Sequence, residues 1–120
     1  MAEHNETGTK GEELAAGMLK DKGYEILEKN WRYNNLEADI IAKKKDLIII
    51  AEVKTRSTSF FGEPEEFVNK TKKQNLIKTA NAYLEQNQLE LEVRFDIISV
   101  LISGEKTIVH HIEDAFYPTV

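Results

Sequence analysis

The sequence predicts an α/β domain in which a mixed β-sheet is flanked by helices, in the order α-β-β-β-α-β-β. Apolar residues recur at helical spacing in two segments, and five segments rich in branched and aromatic residues are bounded by turn-forming residues. The run Leu47–Ala51 is apolar without a break. Such a run is typical of a strand that is buried on both faces of a sheet.

The first element is a helix from about Thr9 to Lys22, and Gly23 suits the position that ends it. Its apolar face consists of Leu14, Ala15, Met18 and Leu19. Residues 1–8 are predicted to be a disordered N-terminus. Residues 9–120 are predicted to form a single domain, because a chain of 120 residues supports one core.

Three strands are predicted next. Tyr24–Tyr33 is the first, and within it Trp31 is expected to pack in the core or at its rim, with base stacking as the alternative. Leu36–Ala42 is the second strand. The polar run Lys43–Asp46 is short enough for a hairpin into the third strand, which ends at Arg56.

A polar loop and a second helix follow. The loop Ser57–Pro64 contains Phe60 and Phe61, which are expected to pack the loop down, although a flap over a substrate is the alternative. The helix is predicted from about Asn69 to Gln86. Its buried stripe consists of Leu76, Ala80, Tyr83 and Leu84.

The last two strands are predicted at Leu91–Ile102 and Thr107–Ile112, with Ile112–Phe116 as a short docking turn. Arg94 and Asp96 lie two residues apart and therefore share one face of the first of these strands. They are expected to form a structural ion pair.

A carboxylate and an amine end the most apolar strand. Glu52 and Lys54 share a face, because alternate residues of a strand point to the same side. A buried charge is costly unless it is paired or binds a metal, so the two form either a salt bridge or part of an active site. Antiparallel pairing around the hairpin places Asp39 near Glu52, so that two carboxylates and a lysine converge at one end of the sheet.

This trio suits phosphodiester hydrolysis. Mg²⁺ is often bound through only one or two carboxylates, and it stabilises charge on a phosphoryl oxygen. The lysine can position water or neutralise the phosphate. The spacing alone is a weak signal, because charged residues make up 31% of the chain and ordinary surface ion pairs give similar spacings.

A wider set of motifs carries a resemblance. In chain order these are Gly11-Glu12, Asn30-Trp31-Arg32, Leu36-Glu37-Ala38-Asp39, Glu52-Val53-Lys54-Thr55-Arg56 and Lys72-x-Gln74. In that order and spacing, residues 8–117 resemble the YraN family of uncharacterised bacterial proteins. That family is assigned to the PD-(D/E)xK nuclease-like superfamily, near the Holliday-junction resolvases.

The resemblance implies a restriction-endonuclease-like fold and a catalytic set. Its catalytic residues would be Asp39, Glu52, Lys54 and Glu12, with Mg²⁺ or Mn²⁺ held by Asp39 and Glu52, and with Lys72 opening the second helix. Leu36 and Ala38 depart from the family pattern, which has Gly and Ile at these positions. Leu36 removes the close backbone approach to substrate that a Gly would allow.

Positive charge is concentrated in one part of an acidic chain. The net charge is −5, but residues 41–80 hold nine Lys or Arg against five Asp or Glu, which gives +4 and leaves −9 for the remainder. A local basic face is what phosphate contact requires. Lys72, Lys73 and Arg56 are the predicted nucleic-acid contacts, and a solvated helix face with a polar hairpin tip is the alternative.

Composition predicts a cytoplasmic protein without a membrane segment. The chain has no cysteine, which excludes a disulfide framework and fits a reducing compartment. Residues 1–10 lack the apolar region of a signal peptide. The longest apolar run is far too short to span a bilayer.

Three functions compete at this point. The first is a metal-dependent nuclease acting on nucleic acid, with DNA favoured and branched DNA as one candidate substrate. The second is a catalytically silent nucleic-acid-binding module of the same fold, and the third is a protein-interaction domain. Junction resolution would require a symmetric homodimer.

Overall fold

In the part of the chain that the structure describes, two helices and five strands follow one another in the order that the sequence predicts. The computed structural model describes residues 2–57 and 69–117, with side chains from residue 8 onward. The elements are α1 (Ala2–Asp21), β1 (Glu25–Tyr33), β2 (Leu36–Lys44), β3 (Leu47–Arg56), α2 (Lys70–Gln86), β4 (Glu92–Ser103) and β5 (Lys106–Phe116). The roles predicted for Phe60 and Phe61 lie outside the described residues.

The strands form one mixed sheet in the order β1-β2-β3-β4-β5. Neighbouring strands are antiparallel except for β3 and β4, which are parallel. A parallel pair cannot be joined by a tight turn, and α2 lies in the crossover between these two strands. The predicted α/β class with a mixed sheet is therefore confirmed.

The central strand β3 is buried on both faces, as its unbroken apolar run predicts. Ile48 and Ile50 belong to a core cluster that includes Leu76, Ala80 and Tyr83 of α2. Ile49 and Ala51 belong to a second cluster that includes Ala15, Ala16 and Leu19 of α1. The two helices thus cover opposite faces of the sheet. Neither helix among the described residues is both long and apolar enough to cross a membrane.

The β2–β3 hairpin fixes the register that matters for function. The chain turns at Lys45, which has the left-handed φ of 57° that a tight hairpin requires. The ladder of paired residues runs from the turn to Ile40 opposite Ala51. One further step along both strands brings Asp39 beside Glu52.

Helix α1 begins earlier than the sequence predicts. It starts at Ala2 instead of the predicted Thr9. The stretch before Thr9 is polar and contains Gly8, which favours a helix that begins after it. The stretch contains no proline, however, so the helical hydrogen bonds can continue through it.

Strand β5 also runs past its predicted end at Ile112, as far as Phe116. A register shift opposite Phe95 and a left-handed φ of 56° at Asp114 let the strand continue through a bulge. Phe116 is buried, as predicted, and its ring stacks on that of Phe95 with 4.9 Å between centroids. The predicted docking turn is therefore a bulged strand end.

Helix α1 approaches the end of β3 very closely at Gly11. A Cβ atom built at Gly11 would overlap the hydroxyl oxygen of Thr55. Only a residue without a side chain permits this contact. The contact places Glu12, the next residue of α1, over the same end of the sheet as Asp39.

We expect Gly11→Ala to lower the free energy of unfolding by about 1–3 kcal/mol, because the added methyl group pushes α1 away from Thr55. Gly17→Ala is the matched control in the same helix, since a Cβ at Gly17 meets no atom of the described residues within 4 Å. The control should raise stability by about 0.5–1 kcal/mol. Urea denaturation measures both. Equal effects of the two substitutions would contradict the close contact.

Candidate active site

The candidate site lies where β2 begins and β3 ends. The β2–β3 ladder stops at Ile40 and Ala51, which leaves the next backbone groups of β3 without partners from β2. The half-buried Asp39 fills this gap, because its Oδ2 accepts a hydrogen bond from the backbone N–H of Val53 at 2.8 Å. This bond fixes the Asp39 carboxylate against the strand that carries Glu52.

Glu52 is a buried carboxylate, with 4% of the residue exposed. Its Oε2 lies 3.2 Å from Nζ of Lys72 in α2 and 3.8 Å from Nζ of Lys54. Its Oε1 is buried and has no hydrogen-bond partner among the described residues. The structure therefore brings Glu52, Lys54 and Lys72 together. Asp39, which lies beside Glu52, is the fourth predicted residue of this group.

The environment of Glu52 opposes its negative charge. Burial raises the pKa of Glu52 most, and repulsion from Asp39 raises it further. The ion pair with Lys72 lowers the pKa but does not offset these effects, and the result is a pKa of about 7. Without an added cation, this carboxyl group is therefore poised between its neutral and charged forms near neutral pH.

Glu12 approaches the site from α1, which covers the face of the sheet opposite to α2. Burial raises its pKa, repulsion from Asp39 and Glu37 adds to this, and a hydrogen bond from Asn30 opposes it. That bond runs from Nδ2 of Asn30 to Oε1 of Glu12 at 3.0 Å. A cleft of about 440 Å³ adjoins Glu12. Its lining consists of Gly8, Glu12, Val53, Lys54, Thr55, Arg56 and Ser57.

Asn30 is a site residue that the sequence analysis missed. It has a left-handed φ of 54° in the middle of β1. The β1–β2 ladder pairs Lys29 with Ile40 and Trp31 with Ala38, and the pairing is interrupted between them, at Asn30. Asparagine is depleted in strands and tolerates this backbone conformation, so an Asn inside a predicted strand was the available signal.

The donor set fits a hard divalent cation such as Mg²⁺ or Mn²⁺. Glu52 has a buried oxygen without a partner, and Asp39 lies beside it. Within residues 8–57 and 69–117, no group of three or more His, Asp or Glu side chains could hold a metal ion. Two carboxylates completed by water and substrate phosphate are a common arrangement for Mg²⁺.

The predicted nucleic-acid contacts divide into two groups. Lys72 belongs to the site through its ion pair with Glu52, and the exposed Arg56 lines the adjoining cleft. Lys73 does not join them, because its Nζ lies over the ring of Phe116, 5.6 Å from the centroid. One residue along a helix turns the side chain by about 100°, which directs Lys73 elsewhere.

Two further acidic residues are occupied by structural partners. Glu37 forms an exposed ion pair with Arg32, with 2.9 Å between Nε and Oε2. Asp96 receives two 2.8 Å hydrogen bonds from Arg94, which confirms that predicted pair. His111 lies 2.7 Å from the same carboxylate.

The surroundings of Asp96 keep it charged. Burial raises the pKa of Asp96, but hydrogen bonds with His111, Arg94 and the backbone N–H of Asp114 together outweigh burial and hold the pKa below its usual value. Arg94 also donates to the hydroxyl of Tyr24 at 2.6 Å. This cluster is satisfied within the protein and ties β4 and β5 to Tyr24 in the link between α1 and β1.

Comparison with known proteins gives one consistent result. Residues 11–100 match the sequence profile described as the uncharacterised protein family UPF0102. The chain is similar to a UPF0102 protein of Christiangramia forsetii, with 54% identity over 117 residues that cover 98% of both chains. UPF0102 protein FP2501 of Flavobacterium psychrophilum is 50% identical over 117 residues, again 98% of both chains. A UPF0102 protein of Bacteroides thetaiotaomicron is 44% identical over 118 residues, with the same coverage.

We expect Glu52→Gln to stabilise the protein at high pH only. The pKa of Glu52 rises from an ordinary value of 4.5 to about 7 on folding, so the folded state holds its proton more tightly. Its contribution to stability is complete below about pH 4.5 and is lost as the pH rises through 7. At pH 8.5 the substitution should raise the free energy of unfolding by up to about 3 kcal/mol, with little effect at pH 4.5.

Urea denaturation at the two pH values measures this difference. Glu37→Gln is the control, since it removes an exposed carboxylate whose ion pair is worth at most about 1 kcal/mol. A Glu52→Gln variant that is less stable than the wild type at pH 8.5 would contradict the account.

We expect two substitutions of Asn30 to separate its backbone role from its side-chain role. Asn30→Gly keeps the left-handed conformation at no cost, whereas Asn30→Ala should lose about 1–2 kcal/mol of stability. Both remove the hydrogen bond that lowers the pKa of Glu12, so both should raise that pKa. NMR titration of the Glu12 carboxyl carbon measures it, and an unchanged pKa in Asn30→Gly would show that the bond has no effect.

Proposed function

The chain belongs to the uncharacterised protein family UPF0102, the YraN family, and from this membership and the geometry of its sheet end we propose that it is a metal-dependent nuclease. The reaction proposed is hydrolysis of phosphodiester bonds in nucleic acid, with DNA as the favoured substrate. The observation that carries the proposal is the unpartnered, buried Oε1 of Glu52 next to Asp39 and two lysines. A carboxylate oxygen is rarely buried without a partner unless a ligand completes its surroundings.

Asp39 and Glu52 are the residues that would hold Mg²⁺ or Mn²⁺. A divalent cation supplies positive charge against the phosphoryl oxygens and makes water more acidic. The bond from the Val53 amide to Asp39 orients one carboxylate, and the rigid, buried strand β3 orients the other. The protein thus fixes both groups before a substrate arrives, which is the main requirement for electrostatic catalysis.

Lys54 and Glu12 would act directly on the reacting groups. Lys54 shares the face of Glu52 and is partly exposed, so its ammonium can contact both the site and a phosphate in solvent. It would orient the attacking water and neutralise charge that develops on the phosphate. Glu12 lies near Asp39, and burial raises its pKa, which suits a carboxylate that would accept a proton from water.

Positive charge around the site suits a polyanionic substrate despite the acidic chain. Lys54 and Arg56 line the cleft of about 440 Å³ next to Glu12, and Lys72 forms an ion pair with Glu52. These residues fall within the part of the sequence that carries +4, whereas the remainder carries −9. Binding through so few cations should be weak, and it should weaken further as salt rises.

The Lys72–Glu52 ion pair favours a second candidate, a nucleic-acid-binding module that does not cleave. An ammonium group 3.2 Å from Oε2 of Glu52 supplies the countercharge that a metal would otherwise provide. In the nuclease, Lys72 would instead contact the substrate phosphate. Lys72 is 40% exposed, which leaves its side chain room for this contact.

Cleavage of end-labelled DNA tests the proposal. Single-stranded, duplex, flapped and four-way substrates are incubated with the wild type in Mg²⁺ or Mn²⁺. We expect cleavage that falls about 10²–10³-fold in both Glu52→Ala and Lys54→Ala. Glu52→Ala should also lose metal binding, whereas Lys54→Ala should keep it.

Lys20→Ala is the matched control, because Lys20 is an exposed lysine in the last turn of α1 and its loss changes the net charge equally. It should cleave like the wild type. A wild type that binds DNA in a salt-dependent manner but never cleaves it would favour the binding module. A wild type that neither binds nor cleaves would favour a protein-interaction domain.

A further inference from the structure

An exposed aromatic ring lies at the end of β1. Tyr33 is 38% exposed, and its ring is parallel to that of Trp31, with 5° between planes and 6.1 Å between centroids. Trp31 in turn meets the buried Tyr83 edge-on, with 5.2 Å between centroids. Tyr33 is therefore the outermost ring of a packed aromatic row that begins in the core, which fixes its orientation.

A groove of about 320 Å³ adjoins Tyr33, between the β1–β2 turn and α2. Tyr33 and Leu36 give it apolar surface, and Lys78, Asn81 and Glu85 line it from α2. A flat apolar surface beside hydrogen-bond donors and acceptors suits the face and edge of a nucleobase. The Glu85 carboxylate disfavours a phosphate at the same place, because like charges repel.

The groove lies on the same sheet face as Glu52. Trp31 packs against the core cluster on the α2 side, and Lys72 of α2 reaches Glu52 on that side. Tyr33 pairs with Leu36, which is three residues before Asp39 and hence about 10 Å away along β2. A short stretch of nucleic-acid backbone can span this separation.

We propose that Tyr33 is a stacking platform for an unpaired nucleobase, and that the substrate therefore carries an unpaired segment next to the cleaved phosphate. A base inside a duplex has both faces covered by its neighbours and cannot stack on Tyr33. Single strands, flaps and branched ends offer a free face. The connection to cleavage rests on the proposed nuclease function, whereas the base-binding site can be tested without it.

Leu36 gains a role in this arrangement. It lines the groove beside Tyr33. The side chain that removes backbone freedom thus adds an apolar wall for the base.

Binding of a 12-nucleotide oligo(dT) in EDTA tests the site, because no cleavage interferes without divalent cations. Trp31 is the only tryptophan in the chain, so intrinsic fluorescence reports on the ring beneath Tyr33. We expect saturable quenching in the wild type. Anisotropy of a labelled oligonucleotide should show binding about tenfold weaker in Tyr33→Ala and Tyr33→Leu, and within about twofold of the wild type in Tyr33→Phe.

An abasic oligomer of the same length separates stacking from phosphate contact. It should bind the wild type and Tyr33→Ala equally, and fully paired duplex should also show no dependence on Tyr33. Equal oligo(dT) affinity in the wild type and Tyr33→Ala would overturn the proposal. An equal loss of affinity for the abasic oligomer would overturn it as well, because the defect would not depend on bases.

The same variants distinguish this proposal from the proposed function. If oligo(dT) binding depends on Tyr33 but none of the DNA substrates is cleaved in Mn²⁺, the base-binding site is supported and the nuclease function is rejected. If Tyr33→Ala cleaves flapped DNA and binds oligo(dT) as the wild type does, the nuclease function is supported and the base-binding site is rejected. Urea denaturation of each variant shows whether it is folded.

Discussion

The burial of Glu52 is the constraint on which the rest of the structure depends. A carboxylate at the end of a strand covered on both faces loses most of its hydration, and Asp39 beside it adds repulsion. Lys72 from α2 and Lys54 from the same strand supply the opposing charge. The placement of α2 over the sheet therefore satisfies an electrostatic need as well as covering the core. One oxygen of Glu52 remains unsatisfied by the described residues, and this is where a ligand would lower the energy.

Two local departures from regular structure bring α1 into the same site. Gly11 allows the helix to touch Thr55 at the end of β3, and the left-handed backbone of Asn30 interrupts the β1–β2 ladder beside Asp39. Both residues are unfavourable where they stand, since glycine weakens a helix and asparagine weakens a strand. Both serve the position of Glu12. Side chains from the two faces of one sheet thus meet at a single sheet end.

The parts of this account that the sequence could predict are those with strong local signals. The unbroken apolar run of β3 identified a strand buried on both faces, and the short polar link before it fixed the hairpin that brings Asp39 to Glu52. The extension of α1 to Ala2 and of β5 to Phe116 could not be predicted, because element ends depend on tertiary contacts and on a bulge. The direction of Lys73 toward Phe116 and the bond from Asn30 to Glu12 also depend on packing that no local pattern encodes.

Calorimetric titration of Mn²⁺ into the wild type and Glu52→Gln at pH 7.5 tests directly whether the buried carboxylate is a metal ligand. Gln keeps the size and shape of the side chain but removes the charge that a cation needs. We expect saturable binding in the wild type and none in Glu52→Gln, with Glu37→Gln binding like the wild type. Equal binding by the wild type and Glu52→Gln would show that the buried carboxylate is not a metal ligand, and its burial would then serve the fold alone.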